Sequence, residues 1–418
     1  MRFPKMVLIE QEFEAPEIED VGRALLWELE RGEIRRQLRP GMRIAITAGS
    51  RGITDIQRIL GTLVKHCRTC GANPFLIPAM GSHGGASAEG QIGVLERLGI
   101  TEQSVGCPIV ATMDVAEIGK TDEGIPVVID RAAAEADGII VVNRIRPHEE
   151  FNGLLGSGLM KMMVIGLGKY RGALEYHRSA VQHGLGAVIT STARVVMKSA
   201  AILFGLGIVE NAYGQTSNIT AVPPERLEEV ERELFATAKG LAPSLPFEEL
   251  EVLIVDEIGK EISGTGMDAR VVNRVDVLGQ PKLRAPRIAR VVALKLTDET
   301  NGNAAGLGFA DYVTQYLVDQ MDDSVTYTNC MASMTPEEGR IPIVAADDRQ
   351  AVEWALATTG CADPASARVV RIRNTAKLER LYVSQSLIPE LGKQPRLRVV
   401  NRPRELAFND ANRLVGSY

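Results

Sequence analysis

A two-domain α/β fold, each domain a mostly parallel sheet flanked by helices, is what this sequence predicts. Three observations predict it. Strands alternate with helices from Met42 onward, a second alternation begins near Leu250, and a stretch of small residues with two prolines, Gly240 to Pro246, separates them. The length of 418 residues also exceeds what one core usually serves, and favours two packed units. The boundary is expected within 241–247, which gives domains 1–243 and 244–418.

The first alternation opens with Met42-Arg-Ile-Ala-Ile-Thr47, a short apolar run of the kind buried on both faces of a parallel sheet. It ends in Ala-Gly-Ser-Arg-Gly, after which 54–70 has helical apolar spacing. The pattern repeats at once. Pro74 to Met80 is strand-like, Gly81-Ser-His-Gly-Gly-Ala-Ser is a loop, and Ala88 to Leu98 is an amphipathic helix. A third strand, Gly138 to Asn143, runs into Arg-Ile-Arg-Pro-His148. A charged helix covers 224–239 ahead of the linker. In the second domain Leu250 to Val255, Val291 to Leu296, Ile341 to Ala345 and Arg368 to Ile372 read as strands.

Composition narrows the function classes. The 47 basic and 53 acidic side chains leave a net charge of −6, which argues against a phosphate-backbone partner. No apolar run approaches the length of a membrane span, and the first ten residues meet charge too early for a signal peptide. A cytoplasmic protein without nucleic-acid or membrane partners is expected. The five cysteines are scattered, and Cys67 with Cys70 is a lone C-x-x-C without further ligands at metal-site spacing.

Ligands of open parallel sheets bind beyond the carboxyl ends of the strands. Arg51, His83 and His148 each stand just after a predicted strand, so three polar side chains from distant positions should converge. A loop histidine alone is more often solvated than catalytic, but three equivalent positions in glycine-rich loops are harder to dismiss. The chain has only five histidines. One of them, His148, opens a glycine-rich segment that closes on Lys161, and another, His177, follows sixteen residues later.

That segment is not a phosphate loop, because Leu159 and Met160 separate Gly158 from the lysine. Nor does the first strand lead into G-x-G-x-x-G, so ordinary dinucleotide binding has little support. Lys161 lies among Met and Gly, where burial would lower its pKa and make it a nucleophile. A lysine that snorkels or pairs with a carboxylate fits the same residues. Beyond the linker, Glu257 and Lys260 sit in a glycine-containing loop at a strand end, as an anion-holding pair or a solvated turn.

Taken in order, Gly81-Ser-His83, the segment from Pro147 and His148 to Lys161, His177, and the loop from Asp256 to Lys260 resemble the lactate racemase family that uses a nickel-pincer nucleotide. The resemblance extends over most of both domains. It implies Rossmann-like domains with the active site in the cleft between them. It also implies a pyridinium-3,5-bisthiocarboxylic acid mononucleotide tethered to Lys161, with Ser157 and Gly158 beside it. Nickel would be held by the cofactor's carbon and two sulfurs and by one protein nitrogen, from His177. His83 and His148 would be the two acid/bases, and Arg51, Lys260 and Glu257 would hold a hydroxy acid or polyol-type substrate.

The implied activity is racemisation or epimerisation of a 2-hydroxy acid by reversible hydride transfer, and the implied partners include the enzymes that make the cofactor. Two departures weigh against lactate itself. Ala48 stands where the family carries an acidic residue, and Glu257 where the lactate enzymes carry a neutral amide. Rival readings are a non-catalytic binder of a nucleotide or sugar acid, and a zinc-dependent hydrolase or lyase using the same histidines.

Overall fold

The computed structural model describes residues 1–147, 156–274, 285–392, 395–416 and 418. The chain divides into two compact units, Glu14–Ala242 on the one hand, and Met1–Phe13 with Pro243–Tyr418 on the other. The strand β1 (Lys5–Gln11) corrects the expected partition, which placed residues 1–13 in the N-terminal domain. Its ladder partners are all near the other end of the chain, at 380–384, 397–399 and 404–405. A pairing across more than 370 residues leaves no local signature.

The unit Glu14–Ala242 is built on a five-stranded sheet. Its strands are β2 (Arg43–Ala48), β3 (Asn73–Pro78), β6 (Gly138–Arg144), β7 (Ile202–Glu210) and β8 (Thr216–Val222); β4 (Val115–Lys120) and β5 (Pro126–Asp130) form a separate antiparallel pair. The spatial order is β3-β2-β6-β7-β8, with every pair parallel except β7 and β8. Successive side chains divide between two cores, as the two-residue period of a strand requires. Ala45, Phe75, Ile77, Ile139 and Val141 face one side, where helices Leu185–Ser199 and Leu227–Leu241 pack. Ile44, Ile46, Leu76, Ile140 and Val142 face the other, covered by helices Val21–Leu29 and Ile56–Thr69. Cys67 and Cys70 belong to this second core, and burial pushes the Cys67 thiol up to about 12.

The other unit carries a nine-stranded mixed sheet, which continues through β9 (Glu249–Ile258), β10 (Arg287–Leu296), β11 (Tyr312–Thr314), β12 (Ile343–Ala345), β13 (Val369–Ile372), β14 (Arg380–Ser384), β15 (Leu397–Val399) and β16 (Arg404–Glu405). The order is β12-β11-β10-β9-β13-β14-β1-β15, with β16 also on β1. From β12 to β13 the pairs are parallel, and β14, β1, β15 and β16 are added antiparallel. Among the described residues no helix is long and apolar enough to cross a membrane.

Candidate functional site

In the N-terminal unit the chain leaves β2 for β3 on one side, then returns to β6 on the other. Two strands that depart in opposite directions open a crevice at their carboxyl ends. The residues that follow β2, β3 and β6 meet there. Ser50 Oγ and His83 Nδ1 are 2.5 Å apart, joining the loop after β2 to the loop after β3. Gly81, at φ +60°, donates its N–H to the Gly166 carbonyl at 3.3 Å, and a Cβ at this position would lie 3.1 Å from the Ile165 carbonyl oxygen. The Asn143 amide, near the end of β6, donates to the Gly158 carbonyl at 2.8 Å. The chain after β3 and the end of β6 therefore close on the segment 158–166, and the loop after β2 joins them through Ser50.

That segment is a helical turn, Leu159–Lys161, continued as a π-helix over Met162–Gly166. Single π-turns recur at functional sites because the wider turn re-aims side chains. Just before it, Ser157 pairs antiparallel with Arg146 through two 2.9 Å backbone bonds. Gly158 caps the turn, and only glycine fits, since a Cβ would fall 2.2 Å from Glu231 Oε1. Glu231 Oε2 accepts the Met160 N–H at 2.8 Å, and complete burial pushes the Glu231 carboxyl up to about 8. Lys161 closes the turn and is half-buried between buried Met160 and Met162.

His177 lies on the helix Lys169–His183 and is half-buried. The residue before it fastens this helix to β5. The Tyr176 hydroxyl accepts the Val128 N–H at 2.9 Å and donates to the Val128 carbonyl at 3.3 Å. Arg51, half-buried, follows Ser50 in a loop anchored further along, where Glu210 accepts the Thr54 N–H at 2.8 Å and also pairs with Arg144. His148 lies outside the described residues.

Glu257 and Lys260 stand at the end of β9 in the other unit. The Glu257 carboxylate accepts from Arg373 and Asn374, each at 2.9 Å, and lies 3.4 Å from the Lys295 ammonium. Burial alone would raise its pKa. The bonds from Asn374 and Arg373, and the charges of Arg373 and Lys295, outweigh burial and hold it below the usual carboxylate range. With Lys295, Thr297, Asp298, Tyr316 and Arg373 it lines a cavity of about 420 Å³ beyond β9, β10 and β13. Lys260 is half-buried, with its amide on Thr300 Oγ1 at 3.1 Å and its ammonium on the Gly264 carbonyl at 2.5 Å.

Two residues of the N-terminal site escaped sequence reasoning, Ser50 and Glu231. A serine beside a predicted ligand arginine could have been noticed from the strand-end rule. Glu231 acts through a tertiary contact and leaves no spacing pattern. Among the described residues no three His, Cys, Asp or Glu side chains cluster as a protein-only metal site requires.

Residues 5–187 match the family model described as the lactate racemase N-terminal domain. The structure is similar to that of the lactate racemase apoprotein from Thermoanaerobacterium thermosaccharolyticum. The two are 13% identical, the match covers 88% of this chain and 94% of that one, and the TM-score is 0.56. At that identity the likeness is one of fold. No curated protein matches the chain.

Proposed function

We propose, on the premise of the match of residues 5–187 to the lactate racemase N-terminal domain, that this chain is a racemase or epimerase of a 2-hydroxy acid dependent on a nickel-pincer nucleotide. The observation that carries the reading is that the loops after β2 and β3 are joined by the Ser50–His83 pair, while Gly81 and Asn143 bond to the two ends of the helical segment that contains Lys161. The donor set fits the group. A pincer nucleotide brings most of the metal's ligands itself and asks of the chain one imidazole and one amine. His177 would supply the imidazole and Lys161 the tethering amine, with Ser157 and Gly158 lining the approach. When bound, the group would supply a hydride acceptor and a soft nickel centre.

The chain's own residues supply the proton chemistry and the positioning. His83, with Nδ1 on Ser50, would take a substrate hydroxyl proton and later return it. His148 would do the same from the opposite side, since each enantiomer presents its hydroxyl to a different base. The planar fork of Arg51 suits a substrate carboxylate, and in the other unit Glu257 and Lys260 are the proposed substrate-binding residues. Ala48 is buried in the apolar core at the end of β2, and the Glu257 carboxylate is held ionised by Arg373, Asn374 and Lys295. Both favour a substrate larger or more hydroxylated than lactate.

The test is co-expression with the cofactor-synthesis enzymes, then a stereoinversion assay on a panel of 2-hydroxy and aldonic acids. A substrate deuterated at the carbinol carbon should invert slowly and keep most of its label. Complete exchange of that label with solvent would replace hydride transfer by proton abstraction.

A further inference from the structure

The N-terminal unit encloses a cation that no step above uses. Lys169 is completely buried, although it opens the helix Lys169–His183 and adopts the left-handed conformation, φ +54°. Its ammonium donates to the Pro78 carbonyl at 2.6 Å and to Gln91 Oε1 at 3.0 Å, and lies 3.1 Å from Asp130 Oδ2. These three oxygens surround the ammonium, the first two as hydrogen-bond acceptors and the Asp130 carboxylate as its counter-charge. They come from the end of β3, from helix Ala88–Arg97 and from the end of β5.

Gln91 is itself wholly buried, and its Nε2 donates to the Gly81 carbonyl at 2.9 Å and the His83 carbonyl at 3.3 Å. An amide can face two ways, but an ammonium on Oε1 permits only one of them. The cation therefore fixes Gln91, and Gln91 fixes the two carbonyls of the turn that carries His83. A buried ion pair is seldom the cheapest way to stabilise a core, and specifying one geometry is the better-attested use of such a group.

We propose that Lys169 is a positioning residue for His83: through Gln91 it holds the Gly81–His83 turn so that the imidazole presents Nδ1 to Ser50. The acid/base role of the imidazole rests on the racemase reading above. The link from Lys169 to the ring does not. The same cation begins the helix of His177, so one group ties the proposed acid/base to the helix of the proposed nickel ligand.

Removing Lys169 alone strands the Asp130 carboxylate in the core, so the informative variants are Lys169→Met combined with Asp130→Asn, and separately Gln91→Met. The readout is the ring ¹⁵N shifts of the full-length protein labelled at histidine, with the His83 signals assigned by their loss in His83→Asn. In both variants the His83 nitrogens should move from one hydrogen-bonded tautomer toward the averaged values of a free imidazole. Those of His66, buried on another helix beside Cys70, should stay in place. In cofactor-loaded enzyme kcat should fall about tenfold or more while KM moves little, because a misplaced acid/base slows the chemical step without weakening substrate binding.

A folded variant of either kind with wild-type His83 shifts overturns the proposal, whatever its activity. Should the double variant fail to fold, Gln91→Met decides. An absence of turnover or adduct in the wild type defeats the racemase reading instead, and leaves the His83 shifts able to decide this one.

Discussion

The Ser50–His83 contact sets what can be expected of single side chains. Ser50→Ala removes the group that orders the ring and leaves the ring itself, so we predict a 10- to 100-fold loss of stereoinversion, whereas His83→Ala should abolish it. In both, nickel content and the mass of the Lys161 adduct should match the wild type, and a loss of loading would assign these residues to cofactor binding instead. Glu231 offers a pH test. Its carboxyl titrates near 8 in the fold against an ordinary 4.5, so the folded state holds a proton that the unfolded chain releases. Stability from this group is complete below about pH 4.5 and is lost as pH rises through 8, by up to about 1.4 kcal/mol per unit. Glu231→Gln should flatten the urea midpoint between pH 5 and 8, and an unchanged slope would show that another group carries it. At this scale the place of His83 just beyond β3 was legible in the sequence, whereas His177 stands within a helix. The supports of these residues were not legible. Lys169 sits in Gly-Lys-Tyr-Arg and looks solvated, and only Asp130, Gln91 and Pro78, between 39 and 91 residues away, make it a core residue.

Among elements, the parallel strands were the most legible, since burial on both faces leaves unbroken apolar runs such as Ile44–Ile46 and Gly138–Val142. The observed ranges Arg43–Ala48 and Gly138–Arg144 lie within a residue of those expected. The π-helix after Lys161 was not legible, because Met162 to Gly166 would suit an ordinary helix equally well. What commits the segment is its surroundings: the Gly81 amide on Gly166, the Asn143 amide on Gly158, and Glu231 beneath the first turn. Gly158→Ala tests that framework. The added methyl would meet Glu231 Oε1, so we expect a cost of about 1–3 kcal/mol in thermal unfolding, with reduced adduct formation on Lys161. A variant of wild-type stability that loads normally would mean that the cap is not what aims Lys161.

For the molecule as a whole, sequence patterning separated the two units near residue 243 but misplaced the first thirteen residues, since a strand's partner in sequence space is invisible when it lies at the other terminus. Deleting Met1–Phe13 should therefore destabilise the unit Pro243–Tyr418, where β14, β15 and β16 lose their common partner, and leave the unfolding of Glu14–Ala242 nearly unchanged. Hydrogen exchange followed unit by unit would show it, and protection lost equally in both units would contradict it. The central claim of the proposal concerns what Lys161 and His177 hold. The most direct measurement is the intact mass and nickel content of protein co-expressed with the cofactor-synthesis enzymes. The account predicts an adduct of the pincer nucleotide mapped to Lys161 with about one nickel per chain, the adduct lost in Lys161→Met and the nickel reduced in His177→Ala. An unmodified Lys161 and a nickel content equal in wild type and both variants would contradict it.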